Sequence, residues 1–244
     1  MIRRFYSSVA VHRETADAWA VHLDSNRLNT PGRAALLLPT QALAEALAQE
    51  WRAQGETIRP DAMPLTRLAN VAVERTPSNR AALALQLAQY GETDLLHHRA
   101  EEPPELALRQ GLAWDPVLDW AEEALGLRLP VVAGVIAPVR DAARLAALAA
   151  LEDDFTLTGL AHGAALFGSA FLAFALQRGR LDAAQAFALS RIDETFQAEQ
   201  WGEDEEARER AGRLEAEALA LGRFFALLGR VSKKWTPVLA PDAP

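Results

Sequence analysis

The chain of 244 residues contains no cysteine. This absence excludes disulfide scaffolds, thiolate zinc sites, iron–sulfur clusters and thiol nucleophiles. Aromatic residues are scarce, at 7%, and basic residues are outnumbered, with 25 Lys and Arg against 33 Asp and Glu and a net charge of −8. Because an acidic protein binds a phosphate backbone poorly, we do not expect nucleic acid as a partner.

Common catalytic signatures are missing as well. The sequence has no Gly-rich phosphate loop, no Gly-x-Ser-x-Gly elbow and no His-Glu-x-x-His helix. Alanine, in contrast, is abundant, at 50 of the 244 residues. Alanine loses no side-chain entropy in a helix and is depleted in strands, so this composition favours helices. The length allows one large domain or two modest ones with a hydrophobic core.

The first sixty residues have a different pattern from the rest. Alternation of period two predicts strands at 5–12 and 18–23, joined through a turn at 24–27 to short strands at 28–30 and 36–38. Thr40 has the side chain of a helix N-cap, and the apolar spacing after it predicts a helix ending near Gly55. Residues 57–59 are expected to add an edge strand.

From residue 66 onward the periodicity is helical. Asp115 before Pro116 predicts a helix start, and Asp182 with Gln185 forms a capping-box pattern. We therefore predict an α+β fold, with a small β-rich N-terminal domain over 1–75 and a larger all-helical, orthogonal bundle-like domain over 76–244 that ends in a frayed tail at 237–244. The predicted helices are 66–75, 78–89, 104–110, 116–125, 139–151, 182–200 and 203–228.

Residues 155–176 form a run of 22 residues without a formal charge, long enough to cross a bilayer. Gly159 and Gly163 have a GxxxG spacing, which allows helices to approach closely in lipid. However, the run contains polar residues, and Gly163 and Gly168 indicate a break into shorter pieces. We favour a buried core segment, with a membrane-anchored adaptor as the alternative.

Two clusters carry candidate chemistry. His97 and His98 are adjacent, so their side chains point in different directions and make a poor metal site. A hydrolase using either histidine with nearby carboxylates is an alternative function. The second cluster is acidic and surrounds Trp201 and Gly202. Its carboxylates at 203–206 suit the start of a helix, whereas Trp201 is consistent equally with a binding contact and with a core anchor.

Taken in order, several motifs resemble one family, the assembly chaperones for the alpha subunit of the catalytic head of ATP synthase. The resemblance extends from about residue 3 to residue 228. The segments that carry it are Arg4-Phe5-Tyr6, Trp19-Ala20-Val21-His22-Leu23-Asp24, Met63-Pro64-Leu65-Thr66-Arg67-Leu68-Ala69-Asn70, Thr93-Asp94-Leu95-Leu96, Trp114-Asp115-Pro116, Leu189-Ser190-Arg191-Ile192-Asp193-Glu194 and Gln197-Ala198-Glu199-Gln200-Trp201-Gly202-Glu203-Asp204.

The resemblance implies a non-enzymatic chaperone that binds the unassembled alpha subunit and prevents its aggregation until it pairs with beta. It implies no cofactor or metal, and a monomer in the bacterial cytoplasm, where eukaryotic relatives are found in the mitochondrial matrix. The family's acidic segment is carried over onto the partner-binding residues expected here, which are Glu194, Gln197, Trp201, Gly202, Glu203 and Asp204.

Overall fold

The computed structural model describes residues 2–134, 141–202 and 204–229. The strands of its N-terminal part are β1 (Ile2–Arg3), β2 (Val9–Thr15), β3 (Ala18–Leu23), β4 (Asn26–Arg27) and β5 (Thr57–Ile58). A three-stranded antiparallel sheet has the order β2–β3–β4, and β1 pairs with β5. Within the larger sheet Val11 lies opposite Val21, and Trp19 bridges to Leu38.

The predicted first strand begins later than expected, at Val9. The cause is Asp24, whose carboxylate accepts hydrogen bonds from the backbone N–H groups of Ser7 (3.1 Å) and Ser8 (2.8 Å). These bonds hold Asp24 at a pKa of about 2 and keep both serines in a loop. The predicted strand at 18–23 and the edge strand near residue 57 are confirmed.

Helix α1 (Gln41–Arg52) packs across this sheet. The N-cap of α1 also forms a hydrogen bond to a residue near the C-terminal end of the described chain. Thr40 Oγ1 accepts from the Leu43 N–H (3.1 Å) and donates to the Leu227 carbonyl (2.7 Å). The carboxylate of Glu50, in α1, accepts hydrogen bonds from two backbone N–H groups at the start of α2 (Pro64–Glu74). The predicted cap at Thr40 is thus confirmed.

The remaining chain is mostly helical, which confirms the α+β class with strands first and helices after. A hydrophobic cluster includes buried residues from both predicted domains, and the boundary at residue 75 stays a prediction. A short parallel pair joins β6 (His98–Arg99) to β7 (Val132–Ala133). The helices are α3 (Thr76–Glu92), α4 (Pro104–Leu125), α5 (Ala143–Ala150), α6 (Asp154–Phe167), α7 (Ala170–Gln177), α8 (Ala183–Ser190), α9 (Ile192–Trp201) and α10 (Glu205–Leu227).

The uncharged run at 155–176 lies in the core as two helices, α6 and α7. Gly168, with φ of +64°, ends α6, and the Ser169 hydroxyl caps α7 by accepting from the Leu172 N–H (3.0 Å). Because α6 has 14 residues and α7 has 8, neither can cross a bilayer. The membrane-anchored alternative is therefore wrong for this run, and no helix in the described parts of the chain is long and apolar enough for a span.

The GxxxG spacing serves close packing inside the protein. A Cβ atom added at Gly159 would lie 2.6 Å from the Phe225 ring, and one at Gly163 would lie 3.1 Å from the Leu221 side chain. Only glycine lets α6 approach α10 at this distance without displacing those side chains.

Two predicted helix boundaries are wrong. Helix α4 continues through Pro116, although 104–110 and 116–125 were expected to be separate helices, because Asp115 pairs with Arg99 (2.6 Å) instead of capping a new helix. Pro116 is on the exposed face, where water can satisfy the carbonyl that its missing N–H leaves free. Conversely, the single helix expected at 182–200 divides at Arg191 into α8 and α9.

Most other helix boundaries are within three residues of those expected, and the start of α5 is the exception. The capping box of Asp182 and Gln185 is confirmed, with both reciprocal hydrogen bonds present. Helix α5 begins at Ala143, where the Asp141 carboxylate accepts from the Ala143 N–H (2.8 Å), so the expected start near residue 139 is too early. The predicted frayed tail at 237–244 lies outside the described residues.

Candidate functional site

The candidate site is the junction where α9 ends and α10 begins. Gly202 ends α9 with φ of 82°, and its N–H donates to the Ala198 carbonyl (2.9 Å). Asp204 is the N-cap of α10, since its carboxylate accepts from the Ala207 N–H (2.7 Å). Glu205 follows in the first turn, where the helix dipole favours a negative charge. The predicted acidic helix start is therefore confirmed.

The structure aligns three of the expected binding residues on one face of α9. Glu194, Gln197 and Trp201 follow at spacings of three and four residues and are all exposed. Trp201 is 79% exposed, which excludes the core-anchor interpretation of this side chain. Gly202 and Asp204 follow directly, whereas Glu203 lies outside the described residues.

The other side of α9 is fixed on α4. Arg109 donates two hydrogen bonds to the Glu199 carboxylate (2.7 and 3.0 Å), and this guanidinium lowers the pKa of Glu199 below its ordinary value. Gln110 Nε2 donates to Asp193 (2.6 Å). Buried Trp114 donates its indole N–H to the Leu189 carbonyl in the preceding helix α8 (2.9 Å). The contacts of Arg109 and Gln110 hold α9 in place, so its exposed face is presented by a rigid support.

Sequence reasoning missed Leu108 and Leu112, which are 65% and 74% exposed on the outer face of α4, next to Arg109. The error has an identifiable source, since dividing α4 at Pro116 hid the periodicity of one long helix. In the continuous helix Leu106, Gln110 and Trp114 form the buried row, and the two leucines fall on the opposite face.

The two histidines differ in environment. His97 is buried, with its ring edge-on to Phe171 at a centroid distance of 5.0 Å. His98 lines a shallow cavity together with Ser190 and Glu194. Its Nδ1 lies 3.0 Å from the Gly134 carbonyl oxygen.

Two polar groups of that cavity make contacts within the protein. The Ser190 hydroxyl donates to the Phe187 carbonyl (2.7 Å), and Glu194 pairs with Arg191 (2.7 Å). A nucleophilic serine has to donate to its base. This geometry therefore gives Ser190 a helix-end role. For the hydrolase alternative, His97 is buried, and the carboxylate that lines the cavity with His98, Glu194, pairs with Arg191.

Asp94 is a fully buried carboxyl close to the histidines. It accepts from the N–H groups of Leu96 (3.1 Å) and Phe171 (3.2 Å), which connects the 95–97 turn to the start of α7. Burial raises the pKa of Asp94, and the hydrogen bonds lower it. The effect of burial is the larger, and the resulting pKa is about 7. Its position points to a structural role. Within residues 2–134, 141–202 and 204–229, no three His, Asp or Glu side chains are placed to hold a metal ion.

A largely apolar cavity of about 400 Å³ lies between α2, α3, α6 and α10. Three ionisable side chains line it, with Glu217 placed 3.7 Å from Arg67 and 3.8 Å from His162. Burial lowers the pKa of His162, which favours the neutral ring. The ion pair and the neutral imidazole leave little net charge there, so the cavity has the chemistry to take an apolar group.

Several known proteins are similar to this chain. A family model described as ATP12 chaperone protein matches residues 3–122. Protein atp12, mitochondrial, from Schizosaccharomyces pombe is 24% identical over 222 residues, which is 85% of this chain and 76% of that protein.

Solved bacterial structures are more similar. The crystal structure of Atp12 from Paracoccus denitrificans has a TM-score of 0.87 and 47% identity, and the match covers 93% of this chain and 98% of that one. Atu1473 from Agrobacterium tumefaciens, for which a chaperone role is suggested, has a TM-score of 0.84 and 37% identity, with 94% and 86% of the two chains covered.

Proposed function

Because this chain belongs to the ATP12 chaperone family, whose members assist ATP synthase assembly, we propose that it binds the unassembled alpha subunit of the catalytic head and keeps it from aggregating until beta replaces it. An obligate subunit without its partners exposes large apolar interfaces. In a cell such surfaces aggregate unless they are covered. A chaperone of this kind needs a surface for reversible binding and no catalytic groups.

The observation that carries the proposal is the exposure of Trp201 beside an acidic helix start. Tryptophan is enriched among residues that dominate binding energies, because it buries a large area with little loss of conformational freedom. Gln197 and Glu194 extend the same face of α9 with an amide and a carboxylate. We assign client binding to this face together with Gly202, Glu203 and Asp204.

Glycine at position 202 contributes through the backbone. Its φ of 82° is strained for other residues, although a Cβ atom there would meet no neighbouring atom within 4 Å. The proposal therefore gives Gly202 the role of setting the angle between α9 and α10. On this proposal the angle determines how Trp201 and Asp204 are presented to the client.

The relatives of known origin are bacterial and mitochondrial. We extend the proposal to a monomer acting in the bacterial cytoplasm, as in the sequence-based expectation. Sedimentation velocity of the purified protein tests the monomer, and a dimer at working concentration would contradict it.

The experiment is co-expression with the alpha subunit from the same organism, and the quantity measured is the fraction of alpha subunit that stays in the supernatant. We expect a several-fold increase when the chaperone is present. An equal fraction with and without it would overturn the proposal.

Surface variants then locate the binding face. Trp201→Ala and Glu194→Lys are expected to abolish most of the protection while changing the unfolding free energy by no more than about 1 kcal/mol, since both side chains are exposed and the Glu194–Arg191 ion pair is a surface pair. Asp61→Lys, which reverses an exposed charge far along the chain, is the matched control and is expected to protect like the wild type. Protection by both junction variants would remove this face from the binding site.

A further inference from the structure

The exposed outer face of α4 carries two leucines that the proposed client-binding face does not include. Leu108 and Leu112 are four residues apart, so they lie one above the other and form what we name the leucine ridge. Shallow depressions lie on both sides of it. One, of about 460 Å³, is lined by Glu105 and Arg109, and the other, of about 390 Å³, is lined by Gly111, Pro116 and Asp119.

This shape suits a partner helix. When helices pack, a row of side chains on one inserts between rows on the other. The leucine ridge supplies such a row, and the two depressions supply space for the flanking rows of the partner. Gly111 has no side chain to fill its depression, which leaves room for a bulky residue.

Charge around the ridge selects the chemistry of that partner. Helix α4 contains five carboxylates and one basic residue, Arg109, whose guanidinium is bound by Glu199 of α9. Helix α9 adds three carboxylates, counting Glu199, and contains no Lys or Arg. From outside the two helices, Arg99 and Arg128 pair with three of the α4 carboxylates, and Arg191 pairs with Glu194. With Arg109, eight carboxylates therefore stand against four guanidiniums, and the surface is acidic. A segment with apolar residues flanked by Lys or Arg complements this surface. A second copy of the chain would bring the same carboxylates face to face, and like charges at an interface oppose binding.

The ridge lies on the helix against which α9 packs. Arg109 is adjacent to Leu108 in sequence and lines the same depression as both leucines, and its partner Glu199 lies on the side of α9 that faces α4. A client lying across this part of the molecule would contact both α4 and α9.

We propose that the leucine ridge binds a basic amphipathic helical segment of the unassembled alpha subunit. This inference rests on the proposed function and adds a second contact surface to it. The apolar side of the segment covers Leu108 and Leu112, and its Lys or Arg residues face the carboxylates of α4 and α9. Binding is therefore both apolar and dependent on salt concentration.

The first experiment compares a double variant, Leu108→Ser with Leu112→Ser, with a matched control, Leu85→Ser on α3, where the leucine is 57% exposed. Thermal melting checks that all variants fold like the wild type. We expect the double variant to need roughly tenfold more protein to halve alpha-subunit aggregation, a change typical of losing binding-energy residues. The control should protect the alpha subunit as well as the wild type does. Equal protection by the wild type and the double variant would overturn the proposed role of the leucine ridge.

The second experiment does not need the alpha subunit. Its probe is a labelled peptide about five helical turns long, built from leucine and lysine at helical spacing, with a leucine–glutamate peptide as the charge control. The wild type should bind the lysine peptide several-fold more tightly than the double variant does, and raising the salt concentration should weaken binding. Equal affinity of the two proteins, or equal affinity for both peptides, would overturn the proposal.

Two further outcomes identify a different occupant. Residues 230–244 contain both lysines of the chain, together with Arg230 and Trp235. If deleting them strengthens binding of the lysine peptide, the chain's own tail is the occupant and the proposal is wrong. It is also wrong if the wild type dimerises and the double variant does not. Failure of the wild type to protect the alpha subunit would overturn the proposed function. The peptide measurement would then still show whether the leucine ridge binds a basic amphipathic helix.

Discussion

Two places in the molecule share one feature, a glycine with positive φ that ends a helix and is followed within two residues by a polar side chain that caps the next helix. Between α6 and α7 the glycine is Gly168 and the cap is the hydroxyl of Ser169, which is fully buried. Between α9 and α10 the glycine is Gly202 and the cap is the carboxylate of Asp204, which is exposed and follows Trp201 by three residues.

The difference shows which side chains are needed where one helix ends and the next begins. A neutral hydroxyl suffices at Ser169, so neither a carboxylate nor a tryptophan is needed to join two helices in this protein. The charge and the aromatic ring at the α9–α10 junction are therefore available for binding. Substitutions of the capping residues at the two junctions should therefore show which side chains contribute to folding stability and which contribute to client binding.

The largest effect is expected from placing the exposed type of cap in the core, with Ser169→Asp. The new carboxylate would be buried beside Asp94, which already interacts with the Ser169 hydroxyl. An uncompensated buried charge costs about 3–5 kcal/mol, and the neighbouring carboxyl puts this site at the upper end of that range. Urea unfolding at neutral pH measures the loss, and stability close to the wild type would show that the core junction is as accessible to water as the surface one.

The second prediction concerns Asp94 itself. Because its folded pKa, about 7, is above the ordinary value of 3.8 for an aspartate, this carboxyl contributes its full stabilisation below about pH 4 and loses it as the pH rises through 7. Relative to Asp94→Asn, the unfolding free energy of the wild type should fall by on the order of 4 kcal/mol between about pH 4 and pH 8, at about 1.4 kcal/mol for each pKa unit.

Surface carboxylates should show the opposite sign. Arg109 lowers the pKa of Glu199, so Glu199 contributes stability above the unfolded pKa and loses it as the pH falls. The comparison between wild type and Asp94→Asn cancels this contribution, since both proteins contain Glu199. A pH-independent difference between the two proteins would mean that Asp94 is ionised throughout this range.

A smaller effect is expected from glycines within the helices. Gly159→Ala would push a Cβ atom against Phe225 and should destabilise the protein by about 1–3 kcal/mol. Gly212→Ala on exposed α10 meets no neighbour within 4 Å and should stabilise by about 0.5–1 kcal/mol, because alanine is the better helix former. Thermal melting of the two variants should therefore give shifts of opposite sign, and shifts of the same sign would contradict the close packing of α6 on α10.

Much of this fold could be predicted from local signals in the sequence. Thr40, with its cap, and Asp182, with its capping box, act within a few residues of themselves, and both were predicted correctly. Gly168 also indicated the break between two core helices. The motif-based family resemblance is confirmed by the solved relatives.

The errors occurred where distant residues decide the local structure. Asp115 has the sequence context of a helix start, but Arg99 binds it from outside the helix, and α4 continues. Ser7 and Ser8 have the pattern of a strand, but Asp24 takes their N–H groups. In the candidate site the exposed face of Trp201 could not be derived from its own neighbours, because α4 decides which side of α9 is covered.

The smallest effect on stability, and the sharpest test of the comparison, is expected at Asp204. Asparagine is as good an N-cap as aspartate, so Asp204→Asn should keep the hydrogen bond to the Ala207 N–H and lose only the favourable interaction with the helix dipole, a few tenths of a kcal/mol. Asp204→Ala removes the cap as well and should cost about 1 kcal/mol. If the carboxylate serves the client, both variants should lose protection of the alpha subunit to the same degree despite their different stabilities. If protection follows stability instead, so that Asp204→Asn protects like the wild type, the acidic junction is a helix cap like Ser169 and the client binds elsewhere.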